Sequence, residues 1–159
     1  MNLPLPDVVT GACYVERGDA VYGNHVRAAR AIAAGEHLFD LDGSMVAAAS
    51  RHTIQLATDR HLVPADRMWA FLNHGCMPNV RVDVVQRRVV AIAPIAAGAE
   101  LRFNYNTTEW KLAAPFSCAC AASACSGEIR GFAWLDAARR AAIRDWLAPH
   151  LLERFDRFG

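Results

Sequence analysis

The chain has 159 residues, 53% of them apolar, and a formal net charge of +1. That is the size of one domain with enough apolar material for a core, which excludes a disordered chain. Acids and bases are mixed without a block of one sign, and no apolar run approaches the roughly 20 residues of a membrane span, so neither direct nucleic-acid binding nor a membrane is expected.

In chain order, the opening MNLPLPDVV lacks the basic start and apolar run of a signal peptide, and a cytoplasmic protein is expected. HLFDLDG (37–43) alternates apolar and polar residues and ends in glycine, a strand followed by a turn. HTIQLATDRHLVP (52–64) reads as two short strands around a turn at Thr58, Asp59 and Arg60. ADRMWAFL (65–72) follows Pro64 as a two-turn helix. NVRVDVV (79–85) puts Val80, Val82 and Val84 on one face, and RRVVAIAPI (87–95) pairs with it through Gln86 and Arg87. AELRFNY (99–105) is a further strand. Residues 106–131 show no period. From Leu135 the spacing turns helical (Leu135, Ala138, Ala142, Ile143, Trp146, Leu147), breaks at Pro149, and resumes with Leu151, Leu152 and Phe155 as a second short helix. The expected fold is mostly β: short strands in small sheets, a cysteine-rich loop and a C-terminal helix. That helix carries more apolar surface than a small appendage needs; it either packs on its own chain or serves a homodimer.

Three of the five cysteines, Cys118, Cys120 and Cys125, fall in CACAASAC. A disulfide between Cys118 and Cys120 would be strained, whereas three thiolates this close suit one soft cation such as zinc. Structural zinc takes four ligands, and Cys13, Cys76, His74 and His150 are the candidates for the fourth. FLNHGCMPNV (71–80) is the other anomaly: Asn73, His74, Cys76, Pro78 and Asn79 crowd into seven positions between apolar flanks. The acids Asp83, Glu100, Glu109, Glu128 and Asp136 are scattered, and no acidic groove for a basic tail is legible.

NHGCMPN resembles the NHSCxPN signature of SET-domain protein lysine methyltransferases. AGAELRFNY resembles their GEELTFDY signature, RAIAAGE (30–36) the segment that opens the domain, and the cysteine run the post-SET zinc segment. The order and spacing also match, over about residues 20–131, and the run from Thr107 to Phe132 is similar to the tail of small stand-alone bacterial members. The resemblance implies a SET fold over 1–110 with the NHxC segment threaded through the later motif, a post-SET zinc segment over 111–131 and a helical extension over 132–159.

It further implies S-adenosylmethionine as cofactor, Zn2+ held by Cys76, Cys118, Cys120 and Cys125, and a protein or peptide substrate bearing a target lysine. Tyr105 matches the catalytic tyrosine, whose hydroxyl lies near the transferring methyl. Asn73 and His74, with Tyr105, match cofactor-binding positions, and Gly23, Asn24 and His25 match the early cofactor loop. Trp110 and Phe116 are expected to stack on the adenine, to close the tail over the cofactor, or to pack in the core. Phe103 lines the lysine channel where the family has Phe or Tyr, and Phe implies di- or trimethylation. Three departures stand out: His25 replaces the loop's second glycine, Asn104 replaces the aspartate of FDY, and Leu41-Asp42-Gly43 lacks the channel tyrosine of YxG, for which Tyr22, His52 or Trp69 are substitutes. These departures keep a second class of function in view, a non-catalytic SET-fold module that binds a partner through its tail.

Overall fold

The computed structural model describes residues 9–19, 23–65 and 67–158. It contains five small sheets and few helices. Strands β1 (Val9–Thr10), β2 (Cys13–Glu16) and β3 (His25–Ala28) form one antiparallel sheet in that order. β4 (His37–Asp40) enters a second sheet, of order β4-β10-β9, with β9 (Val80–Asp83) and β10 (Arg88–Ala91). A third has the order β5-β7-β6, from β5 (Gly43–Val46), β6 (Ile54–Ala57) and β7 (Arg60–Pro64). The helix expected after Pro64 is a single turn, α1 (Arg67–Ala70).

The expected alternation is visible where a sheet has one wet face. Val80, Val82 and Val84 are all buried, and the β9–β10 turn holds Arg87 in the left-handed region at φ 50°. Where one long strand is expected, over 99–105, only β11 (Arg102–Phe103) is regular. Asn104 ends it by capping a 3-10 turn over Tyr105–Thr107, its side-chain oxygen accepting from Asn106 N. An aspartate would make the same bond, so the exchange of Asp for Asn leaves the turn intact. β11 pairs in parallel with β8 (Asn73–His74), which brings the two signature motifs together across 27 residues of intervening chain.

The tail forms a two-stranded hairpin, β12 (Phe116–Ser117) with β13 (Glu128–Ile129). It returns past Trp110 through Gly131, at φ 118°, where an added Cβ would lie 2.5 Å from the Trp110 carbonyl oxygen. The C-terminal stripe divides into α2 (Ala137–Ala142), capped by Asp136, a 3-10 turn, and α3 (Pro149–Phe158), which starts at the proline expected to break the helix.

Two apolar clusters result. The larger joins the strands through Val26, Leu62, Met68, Val89 and Leu101. The smaller gathers Phe132, Ile143 and Leu151 with Trp110, Trp146 and Phe155 at its edge, so the apolar face of α3 is used within the chain. No helix among the described residues is long and apolar enough to cross a membrane.

Candidate functional site

The site is built on the β8–β11 pair. Gly75 N donates to Phe103 O at 3.0 Å and Asn79 N to Arg102 O at 3.1 Å. Asn79 adds two side-chain bonds, donating to Glu100 O and accepting from Arg102 N, each at 2.9 Å. Gly75 suits this close approach, because an added Cβ would meet the Arg102 side chain at 3.0 Å and push it aside by a few tenths of an ångström. The Asn73 amide reaches Glu100 Oε1 at 3.2 Å and Asn24 O at 3.4 Å, tying the early loop to the same strand.

This zipper sets the aromatic groups. Tyr105 N donates to His74 Nδ1 at 3.1 Å, which leaves the His74 proton on Nε2, 3.3 Å from Cys76 Sγ. Burial, and after it the charge of Arg102, lowers the His74 pKa to about 4, so the ring is neutral at physiological pH. The Tyr105 hydroxyl donates to Leu72 O at 2.8 Å. Phe103 packs against Tyr105 at 4.8 Å between centroids, and Phe116, from the tail hairpin, meets Tyr105 and His74 edge-on at 6.0 and 5.8 Å.

Beside these rings lies a cavity of about 850 Å3. Of the residues singled out from the sequence, Gly23, Asn24, Asn73, His74, Phe103, Tyr105 and Phe116 line it, together with Cys118 and Cys120. Two others sit elsewhere. The buried His25 turns toward Glu16, Nε2 to Oε2 at 2.6 Å. Trp110 belongs to the smaller apolar cluster, 6.1 Å from Phe132, with the Arg154 guanidinium 4.1 Å above its ring. Trp69 and His52, two of the three substitutes for the missing channel tyrosine, are on the cavity wall, while Tyr22 lies outside the described residues. Trp69 is held by its indole N–H on Asp42 O at 3.1 Å.

Glu109 also lines the cavity, and sequence reasoning leaves it among the scattered acids because the tail run from Thr107 to Phe132, in which it lies, gives it no role. The signal is its spacing: it follows Tyr105 by four residues, and Glu109 N donates to Tyr105 O at 3.0 Å. One turn of that kind puts both side chains on one side.

The cysteines Cys76, Cys118, Cys120 and Cys125 converge, with all four sulfurs within 4.8 Å of one another. Cys76 Sγ is 3.9 Å from both Cys118 and Cys125. Tetrahedral zinc with Zn–S bonds of about 2.3 Å places its sulfurs roughly 3.8 Å apart, so the donor set fits that ion in number, type and spacing. Burial raises Cys76 and Cys118. It opposes ionisation of Cys120 too, but there the Ala122 and Cys76 backbone and the neighbouring thiols outweigh it and draw the thiol down to about 6. A cation would allow all four to ionise. Cys13 is remote from the cluster in role: it is fully buried, and burial pushes its thiol up to about 11.

The comparisons with known proteins agree with this architecture. The chain is 36% identical over 83 residues to the methyltransferase flvH of Aspergillus flavus, a match covering 51% of this chain, which spans less than half (46%) of that relative. Two solved structures share its fold. KRYPTONITE in complex with mCHG DNA and SAH superposes with a TM-score of 0.56, and KRYPTONITE in complex with mCHH DNA, H3(1-15) peptide and SAH with 0.59. Each is 23% identical and covers 73% of this chain, which spans 28% and 29% of theirs. The model of the SET domain matches residues 23–106, more than half of the chain and the whole stretch from the early cofactor loop through Tyr105, and the chain belongs to the SET domain family.

Proposed function

We propose that the protein transfers a methyl group from S-adenosylmethionine to an amine, with the side chain of a protein lysine as its substrate class. The observation that carries this is the β8–β11 pairing, which brings Asn73, His74, Phe103 and Tyr105 to a single cavity that Phe116 of the tail also lines. Two relatives support it: flvH is a methyltransferase, and KRYPTONITE has been solved with SAH and with an H3 peptide.

The cofactor supplies an electrophilic methyl on a sulfonium. The chain's own residues do the rest. Gly23, Asn24, Asn73 and His74 provide the backbone and amide groups that hold the cofactor. Phe103 and Trp69 make an apolar wall that disfavours a charged amine, whose ordinary pKa is near 10.4. The Tyr105 hydroxyl, held by the Leu72 carbonyl, orients the nitrogen. Phe103 brings no hydroxyl to the channel, which suits repeated methylation. Zn2+ on Cys76, Cys118, Cys120 and Cys125 braces the tail, and the His74 Nε2–H against Cys76 Sγ links that brace to Tyr105.

The test is transfer of labelled methyl to a pool of basic proteins and cell extract, with Tyr105→Phe alongside. Label on a protein band, lost in the variant, is the expected result. No transfer and no calorimetric heat with S-adenosylmethionine would sink the enzyme and leave a binding module.

A further inference from the structure

We propose that Glu109 is a catalytic residue of this site: its carboxylate binds the substrate's ammonium group inside the cavity and accepts the proton that must leave before the nitrogen can take a methyl group. The proposal rests on the amine-methyltransferase reading and adds to it a residue to which the resemblance gives no role.

Glu109 is 7% exposed and lines the same cavity as Tyr105 and Phe103. A carboxylate buried to this degree normally has a cation beside it, because desolvating an unpaired charge is costly. Among the described residues Glu109 has none. Its Oε1 accepts from Gln55 N at 2.7 Å and from the Thr108 hydroxyl at 3.1 Å. These donors fix the plane of the carboxylate, and no donor among the described residues reaches the other oxygen. Trp69, Phe71, Phe103 and Leu112 give the same cavity an apolar and aromatic part, and Asp19 is the other carboxylate on its wall. A buried carboxyl with no cation beside it is held toward its protonated form, and its open oxygen on the cavity suits a positively charged amine, which would hold it ionised.

The groups around it do not supply the charge. His74 and Arg102 are on the cavity wall, Arg102 already bonded to Glu100. Arg51 and His52 on the cavity wall are exposed. From α3, His150 bonds the Thr108 carbonyl and Arg154 lies over Trp110. Burial raises Glu109 to about 7, against the hydrogen bonds from Gln55 and Thr108, which suits a group that takes up and gives back a proton near neutrality.

The step balances. The ammonium passes one proton to Glu109, leaving a neutral amine and a carboxylic acid. The nitrogen lone pair then forms the N–C bond while the C–S electron pair stays on sulfur, so the positive charge moves from sulfur to nitrogen. Glu109 returns its proton to water at the cavity mouth.

Glu109→Gln separates this role from a structural clamp, since the amide oxygen can still accept from Gln55 and Thr108. The first readout uses no cofactor. In protein labelled with 13C-glutamate, the Glu109 carboxyl signal, assigned through its own backbone, is expected to titrate near 7 and to shift as n-butylammonium is added; this stands even if the variant fails to fold. Calorimetry at pH 7 should show n-butylammonium bound at least about tenfold more weakly by Glu109→Gln, with a melting temperature at that pH no lower than that of wild type. The second readout is the pH profile of kcat/KM for methyl transfer. Wild type should rise through pH 7 as Glu109 deprotonates, and Glu109→Gln should lose that limb and about 100-fold in rate at pH 7. A Glu109 signal indifferent to n-butylammonium, or a variant with wild-type amine binding and pH profile, overturns the proposal. Amine binding that depends on Glu109 in a protein that transfers no methyl overturns the methyltransferase reading and leaves the cation site.

Discussion

The Tyr105 hydroxyl donates to Leu72 O, and its backbone N–H donates to the neutral ring of His74. Removing the hydroxyl takes one hydrogen bond from stability, about 1 kcal/mol, but takes the only polar group that the Tyr105 side chain presents beside the channel. Tyr105→Phe should therefore fold, with a urea midpoint close to wild type, and lose about 100-fold in kcat for methyl transfer. Equal activity in the two proteins would place the chemistry elsewhere on the cavity wall. Glu109 makes a prediction of the opposite kind, about stability. Its pKa is raised in the folded state to about 7 from an ordinary 4.5, so the folded chain binds more protons than the unfolded one between those values. Its contribution is fully present below pH 4.5 and is lost as pH rises through 7. Glu109→Gln is free of this dependence. Urea denaturation at a series of pH values should show the variant gaining on wild type above pH 5, by a few kcal/mol at pH 8.5, since each tenfold gain in proton affinity on folding is worth about 1.4 kcal/mol. Parallel curves would mean that the carboxyl is not desolvated. This residue also marks where sequence reasoning ends. Tyr105, Phe103, His74 and Asn73 are legible because each sits inside a signature; Glu109 is one scattered acid until the turn after Asn104 puts it one turn from Tyr105.

Elements are legible in proportion to how local their causes are. β9 and β10 can be read because a one-sided burial pattern leaves a period of two, and the β6–β7 hairpin because its turn residues are adjacent. β8 and β11 are two residues each and are stabilised by a parallel pairing between distant segments, which leaves no period in either. Other partners also come from elsewhere in the chain: β2 supplies Glu16 to His25, and a return of the chain at Gly131 brings Phe132 to Trp110, the core packing that is one of its expected alternatives. The tail hairpin has only two residue pairs, far too few for a stable structure alone, and Phe116 in its first strand is 36% exposed. The sulfur cluster joins it to Cys76, beside the buried Ile129, and a bound cation would fix it over Tyr105. Elemental analysis should find one zinc per chain, reduced to background in Cys125→Ser. Chelation of wild type should make the chain near 116–129 the first site of limited proteolysis and weaken cofactor binding, because Phe116, Cys118 and Cys120 leave the cavity wall. Proteolysis that is insensitive to chelator would show that the hairpin is held by packing instead.

At the scale of the whole molecule the question is whether the C-terminal segment is a separate unit or part of one cooperative core. The sequence suggests a helical extension over 132–159, because the period changes at Leu135, that packs on its own chain or serves a homodimer. The contacts join it to the chain's own core. Ala148 packs in the larger cluster and its N–H bonds Thr107 O at 2.8 Å, while Leu151, three residues on, is fully buried in the smaller cluster. His150 Nε2 donates to Thr108 O at 2.8 Å. The start of α3 thus closes on the turn that carries both Tyr105 and Glu109, and the smaller cluster becomes the outer support of the site. Tryptophans divide conveniently between the two clusters: Trp69 is in the larger, Trp110 and Trp146 in the smaller. If the two melt together, Trp69 alone (the other three tryptophans replaced by Phe) and far-UV circular dichroism should give coincident urea transitions. Leu151→Ala, which opens a cavity in the smaller cluster, should then lower the midpoint of both signals equally, at a cost of about 2–5 kcal/mol. A variant in which the Trp69 transition stays in place while ellipticity is lost earlier would show that α3 unfolds on its own, and the support that it gives to Tyr105 and Glu109 would be dispensable for the fold of the site.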